Sequence, residues 1–435
     1  MAHIHSFQIE PIQRFTNQDA AIRRPREFTY FSYDEEHKFR LDASSLRYYY
    51  PPSLPADLSK GFDTFRQLDD SADDHLDGLL DAMIAFERGK GAKTEVDIIT
   101  WRGMMTKIMT VPFSHLDEWE MNATFFQDTI FIEENHAKKL DSRQRQNNSG
   151  AHRGNMSQDL MSFWGYKFET ISLMPKPWSE TPRDYLESRE DEVVSNYAQY
   201  CSIVRTGFGK TKLVIGGEVD AVEAFKPEDK SQPIRWIELK TTAELGNDRD
   251  LVKLERKLLK FWAQSFLLGV PKIVVGYRSQ QGILQRLEEI ETQTIPERVL
   301  RGKRMWDGQT CINFTSSFLD WLKSTITGEG TWRIRKREKV PFLEVFKVEQ
   351  SGTGDILSKA FLDWRMQELP KVPATVDADG PKPTQNGQAA DAASTAADAF
   401  HPEPAHDPSV NGDGLDARKA ELLAAIHGAA DHKPP

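Results

Sequence analysis

Only two cysteines, Cys201 and Cys311, occur in 435 residues. They supply neither a disulfide framework nor a cysteine-based zinc site, and a reducing compartment is expected. Long apolar runs are also missing: the most hydrophobic stretch, 266–275, is broken by Gly269, Pro271 and Lys272, so no membrane span is expected. Residues 1–11 lack the basic-then-apolar order of a secretory signal. A soluble, intracellular protein is the expectation. There is no basic excess either, because 56 Lys and Arg face 66 Asp and Glu for a net charge of -10. That average speaks against a phosphate-binding surface. No internal repeat occurs. Gly209-Lys210-Thr211 ends like a P-loop, but Val204 stands where the first glycine is required. The eleven histidines are scattered and no Ser, His and Asp signature for acyl transfer stands out.

Core material is plentiful, with 24 Phe, 10 Trp and 10 Tyr, which excludes a wholly disordered or collagenous chain. Its distribution is uneven. Segment 370–435 holds 16 Ala and 9 Pro but a single aromatic, Phe400, while every Trp lies at or before Trp364. Such a segment cannot offset the ~1–2 kcal/mol per residue of backbone entropy lost on ordering. One catalytic domain over 1–369 and a disordered tail over 370–435 are therefore expected. Within the tail, 415–432 carries Ala and Leu at helical spacing and could fold on a partner.

The body reads as α+β, with mixed twisted sheets flanked by helices. Strands are expected at 97–101, 213–225, 234–241, 272–277 and 342–348. A helix is expected over 249–268, capped by Asn247 or Asp248 and stopped by Gly269 and Pro271. Leu251, Leu254, Leu258, Trp262 and Phe266 share one face of it, a core stripe. Lys253, Lys257, Lys260 and Gln264 form a row opposite, which suits either solvent or an incoming strand of phosphates.

The chemistry concentrates in two short patterns. In Gly217-Glu218-Val219-Asp220 the strand period of two puts Glu218 and Asp220 on one face; in Glu238-Leu239-Lys240 it does the same for Glu238 and Lys240. The polar, proline-bounded segment 226–233 between them predicts a hairpin. A turn centred on Asp229 and Lys230 sets Asp220 opposite Leu239, with Glu238 and Lys240 one step to either side. Glu-x-Asp and Glu-x-Lys on adjacent strands then form a nuclease-like core. Hard oxygens at that density fit Mg²⁺ or Mn²⁺ better than Zn²⁺, and phosphodiester or phosphoanhydride hydrolysis is the matching reaction, with Lys240 placing water or balancing phosphoryl charge. An exposed strand face with cross-strand ion pairs fits the same letters.

Two further features stay open. Arg333, Arg335, Lys336 and Arg337 suit an import signal or a phosphate contact, yet alternate with Trp332 and Ile334 as an ordinary strand does. Tyr48-Tyr49-Tyr50-Pro51-Pro52 suits base stacking or the edge of a core.

Five motifs occur in order: Trp101-Arg102-Gly103, Gly165-Tyr166-Lys167-Phe168-Glu169, Gly217-Glu218-Val219-Asp220, Glu238-Leu239-Lys240 and Trp262-Ala263-Gln264-Ser265-Phe266. Together they resemble the successive motifs of the DXO family of RNA decapping enzymes, most of all its fungal nuclear branch, over roughly 24–348. The resemblance implies that Glu169, Glu218, Asp220 and Glu238, with the backbone carbonyl of Leu239, hold a pair of Mg²⁺ or Mn²⁺ ions. It implies that Lys240 and Gln264 act beside Glu238 at the scissile phosphate or the attacking water. Trp101, Arg102 and Gly103 resemble the element that holds the RNA 5′ end, with Cys201 and Glu218 as further substrate contacts. The implied reaction releases pyrophosphate from 5′-triphosphate RNA or removes incompletely methylated or NAD caps. The implied partner is the nuclear 5′-to-3′ exoribonuclease, and the implied location is the nucleus. The rivals are a non-catalytic subunit that stabilises the exonuclease and a DNA nuclease with the same core. A complete carboxylate set favours catalysis, because a purely structural subunit has no reason to crowd four anions together.

Overall fold

The computed structural model describes residues 3–150 and 157–367. The tail expected at 370–435, including its helical stretch, lies outside the described residues. Among the described residues the chain is α+β, with one mixed sheet of ten strands and one of seven, both flanked by helices. No described helix is long and apolar enough to cross a membrane.

The site is built from β1 (Ile98–Trp101), α1 (Arg102–Met109), α2 (Gln158–Ser172), β2 (Gln199–Phe208), β3 (Thr211–Glu218), β4 (Ala221–Val222), β5 (Trp236–Ala243), α3 (Asp248–Leu268) and β6 (Lys272–Arg278). In the larger sheet β3 pairs antiparallel with β2 and parallel with β1. In the smaller sheet β5 pairs antiparallel with β4 and parallel with β6. Gly209-Lys210 is the tight turn between β2 and β3, with Gly209 in the left-handed region at φ 55°, so the false P-loop is a hairpin turn.

Two expectations need correction. The single strand expected over 213–225 is two: β3 ends at Glu218 in the larger sheet, β4 starts at Ala221 in the smaller, and Val219-Asp220 carries the chain across. Period-two arguments stop at that crossing. The hairpin exists, but its strands pair at only Ala221↔Ile237 and Val222↔Trp236. This register sets Asp220 level with Glu238 instead of Leu239. The loop between them bends at a β-turn over Asp229–Gln232 and does not close symmetrically about Asp229 and Lys230: the Asp229 carboxylate accepts from the Ser231 N–H at 2.9 Å and its carbonyl from the Gln232 N–H at 3.1 Å.

α3 matches its expected bounds closely because its ends are encoded locally. The Asn247 side chain accepts from the N–H groups of Arg249 and Asp250, and Gly269 closes the helix at φ 71°. Its Leu254, Leu258 and Trp262 pack with Trp236, Ile273 and Val275 on one face of the smaller sheet. Ile237, Leu239 and Val274, on the other face, pack with Phe163, Trp164 and Phe168 of α2. The two helices therefore cover opposite faces. Each fully buried side chain of this size stabilises by roughly 1.5–3 kcal/mol.

Candidate active site

The larger sheet brings β1 hard against β3. Gly216 pairs with Trp101 in parallel register. A Cβ on Gly216 would overlap Leu79 and come within 2.8 Å of the Trp101 ring; one on Gly217 would come within 2.9 Å of Arg102 Cβ. The glycine pair thus lets the turn from β1 into α1 lie directly over the end of β3. Trp101 is the N-cap residue of α1, so Arg102 and Gly103 sit in a first turn whose N–H groups lack helical partners and favour anions. The Trp101 indole donates to the His75 carbonyl at 3.0 Å.

Glu238 on β5 is fully buried and takes two cations: Arg102 Nη1 lies 3.0 Å from its Oε2 and Lys240 Nζ 2.7 Å from its Oε1. The same-face expectation for Glu238 and Lys240 is met. Asp220, at the crossing, accepts the Leu239 N–H through Oδ2 at 2.6 Å. That bond ties the crossing to β5 despite the shifted register. Glu169 enters from α2, three residues from that helix's end. Among the described residues, Glu169, Glu218 and Asp220 form no ion pair within 4.0 Å.

The charge balance shows in the proton affinities. Burial, then the Asp220 charge, pushes Glu218 up to about 7. Burial, then Glu238, pushes Asp220 up to about 6. Glu169 lies well above the usual carboxylate range through burial and the charges of Asp220 and Glu218. Glu218 is exposed by its accessible surface, so the neighbouring charges of Asp220 and Glu238 carry more of its shift than burial does. Glu238 is different: burial opposes its ionisation, but Arg102 and Lys240 outweigh that and hold it below the usual range. Both cations are in turn raised, burial being overcome chiefly by Glu238. One carboxylate is neutralised twice and three are not neutralised. Such a surplus on hard oxygens fits divalent cations of the Mg²⁺ or Mn²⁺ kind.

The four carboxylates converge without closing into one tight cage. Among the described residues, the three ligand-type side chains whose donor atoms all lie within 4.8 Å of one another are Asp73, His75 and Glu133. No sequence spacing pointed to that group, which joins distant segments beside Trp101.

The remaining expected residues fall as follows. Gln264 is half-buried on α3, which packs against β2, β3, β5 and β6. In its lysine row, Lys257 donates to Thr242 Oγ1 at 3.1 Å, Lys260 pairs with Asp117 at 3.1 Å, and Lys253 pairs with Asp250 at 2.9 Å. Cys201 lies opposite Glu218 in register, yet its thiol is buried in the cluster that includes Phe31 and Leu79. Burial raises that thiol further from ionisation. The basic patch is a salt-bridged strand: Arg333 pairs with Glu120 at 2.6 Å, and Arg335 and Arg337 pair with Glu344 at 2.8 and 2.7 Å. Tyr48 and Tyr49 form a short, half-buried strand of the smaller sheet. Sequence reasoning missed Arg102 as counter-ion of Glu238. Its one available signal was arithmetic, since four carboxylates need more than the charge of Lys240.

A crossing between two mixed sheets that brings Glu218 and Asp220 to Glu238 and Lys240, beside the helical Glu169, marks a hydrolase of phosphate esters. Residues 23–362 match the family described as RAI1 like PD-(D/E)XK nuclease. The decapping nuclease RAI1 of Aspergillus fumigatus is 61% identical over 361 residues, covering 83% of this chain and 98% of that protein. That of Candida albicans is 31% identical over 385 residues, covering 82% and 97%. The crystal structure of Candida albicans Rai1 in complex with pU5-Mn²⁺ superposes with a TM-score of 0.77 at 29% identity, covering 84% of this chain and 99% of that one. Scheffersomyces stipitis Rai1 in complex with (3′-NADP)⁺ and calcium gives 0.74 at 28% identity, covering 80% and 97%. The chain belongs to the RAI1-like PD-(D/E)XK nuclease family.

Proposed function

We propose that the protein is a divalent-metal-dependent hydrolase of RNA 5′ ends. It releases pyrophosphate from 5′-triphosphate RNA and removes incompletely methylated or NAD caps, leaving 5′-monophosphate RNA for a nuclear 5′-to-3′ exoribonuclease. The observation that carries the reading is the joining of Glu218 and Asp220 at the crossing between sheets with Glu238, which Arg102 and Lys240 neutralise. The decapping relatives support the substrate, and the complex of Candida albicans Rai1 with pU5-Mn²⁺ supports the metal.

Glu169, Glu218, Asp220 and Glu238, with the Leu239 carbonyl, hold Mg²⁺ or Mn²⁺, which when bound polarises phosphate oxygens and activates water. Arg102 and the first turn of α1 receive the terminal phosphates. Lys240 balances charge that builds on the phosphoryl oxygens, and Gln264 orients the attacking water. The lysine row of α3 guides the strand toward the carboxylates.

The test is incubation of the purified chain with 5′-triphosphate RNA, unmethylated-cap RNA and single-stranded DNA, in Mn²⁺ and in EDTA. Metal-dependent turnover of the RNA ends, lost in Glu238→Ala and Asp220→Ala, is expected; equal turnover by wild type and both variants refutes the reading. Nuclear location and the exoribonuclease partner rest on the resemblance to the fungal nuclear branch. Co-purification of the exoribonuclease with the tagged chain from nuclear extract checks both.

A further inference from the structure

Asp73 and His75 precede the helix Asp77–Lys90, and Glu133 lies in the strand Thr129–Glu134 of the larger sheet. None of the three belongs to the carboxylate set described above. His75 Nδ1 lies 3.0 Å from Glu133 Oε2 and 3.9 Å from Asp73 Oδ2. A single imidazole N–H can serve one of these oxygens and leaves the other carboxylate unanswered, whereas a divalent ion takes a lone pair from all three. Ligands about 2.0–2.2 Å from one ion stand roughly 3–3.5 Å from each other, so the His75–Glu133 spacing fits and Asp73 needs only a small rotation.

The surroundings are built for such an ion. The Glu133 side chain is 3% exposed, that of His75 25% and that of Asp73 32%, a grade from a buried floor to an open approach. Glu133 is also oriented from behind, since its Oε1 accepts from Asn122 Nδ2 at 3.1 Å, as metal-bound carboxylates commonly do. The oxygen of that same amide, Asn122 Oδ1, is buried and has no hydrogen-bond partner among the described residues. A buried acceptor needs a donor or a cation, and water held by the ion supplies the donor. That orphaned oxygen points to a ligand independently of the three side chains.

We infer that Asp73, His75 and Glu133 form a site for a divalent transition-metal ion of the Zn²⁺ kind. One imidazole nitrogen with two carboxylate oxygens suits Zn²⁺, while Mg²⁺ keeps to oxygen ligands, so this set differs in chemistry from the all-oxygen one of Glu169, Glu218, Asp220 and Glu238. The ion pins the segment ahead of the helix Asp77–Lys90 to the strand Thr129–Glu134. Because the His75 carbonyl accepts the Trp101 indole N–H at 3.0 Å, it also steadies one support of Trp101. The assignment stands or falls apart from the function proposed above.

The test is equilibrium dialysis of the full chain, stripped with EDTA, against Zn²⁺ in large excess of Mg²⁺, followed by metal analysis. Wild type is expected to hold one more Zn²⁺ per chain than His75→Ala or Glu133→Gln. Asn122→Ala is expected to bind that ion about ten- to a hundredfold more weakly, and Asp77→Asn, an exposed neighbour outside the set, to retain it. Thermal melts guard against misfolding: Zn²⁺ should raise the melting temperature of wild type and Asp77→Asn and leave that of Glu133→Gln unmoved, each chain melting cooperatively in EDTA. If the buried variants fail to fold, Asp73→Asn on the exposed side decides, and unchanged Zn²⁺ affinity in it counts against the site. Equal Zn²⁺ in wild type and His75→Ala, or none held by wild type, overturns the assignment.

Discussion

Arg102 Nη1 lies 3.0 Å from Glu238 Oε2, joining the first turn of α1 to β5, so the helix that follows a strand of the larger sheet supplies the counter-charge for the smaller. Replacing Arg102 with Ala leaves the fully buried Glu238 with Lys240 alone. Breaking a buried pair of this kind costs about 3–5 kcal/mol. Urea denaturation of Arg102→Ala should show a loss near that size, with hydrolysis reduced at least a hundredfold; retention of both would mean the pair is dispensable.

Glu218 and Asp220 trade stability for function. Their proton affinities in the folded, metal-free chain are raised to about 7 and about 6. A carboxyl raised in the folded state contributes stability that is complete below its unfolded pKa and is lost as pH climbs through the folded value. In EDTA, the melting temperature should therefore fall between about pH 5 and pH 8. Glu218→Gln and Asp220→Asn should flatten that fall, melt higher at pH 8, and be inactive.

The same carboxylates bind protons and metal competitively. Calorimetric titration with Mn²⁺ is expected to show affinity dropping about tenfold or more from pH 7.5 to pH 5.5. Proton release should appear as a dependence of the measured heat on buffer ionisation enthalpy. An affinity independent of pH places the ion elsewhere.

Gly216 has no room for a side chain, since a Cβ there would overlap Leu79 and press on the Trp101 ring. Gly216→Ala is expected to cost about 1–3 kcal/mol by overpacking and to reduce activity by displacing Arg102. Thermal melts and RNA-end hydrolysis report the two effects separately.

What the residues disclosed on their own was short-ranged. Asn247 and Gly269 fix the ends of α3 because capping acts within a turn, and Glu238 and Lys240 share a face because they lie two apart in one strand. Glu218 and Asp220 look like the same case, but the strand between them ends and a second sheet begins, which no alternation of letters records. The register differs by one because the loop bends at Asp229–Gln232 and does not close symmetrically about Asp229 and Lys230. Glu169 came only through likeness to known motifs, since its helix shows no local mark of a site. The Arg102–Glu238 pair spans 136 residues and needed the fold to appear.

The step of two residues between Glu218 and Ala221 has a mechanical meaning. Because one carboxylate ends the first sheet and the next precedes the second, any shear of one layer over the other changes the spacing of the donor atoms directly. A fragment holding either layer by itself lacks part of the carboxylate set.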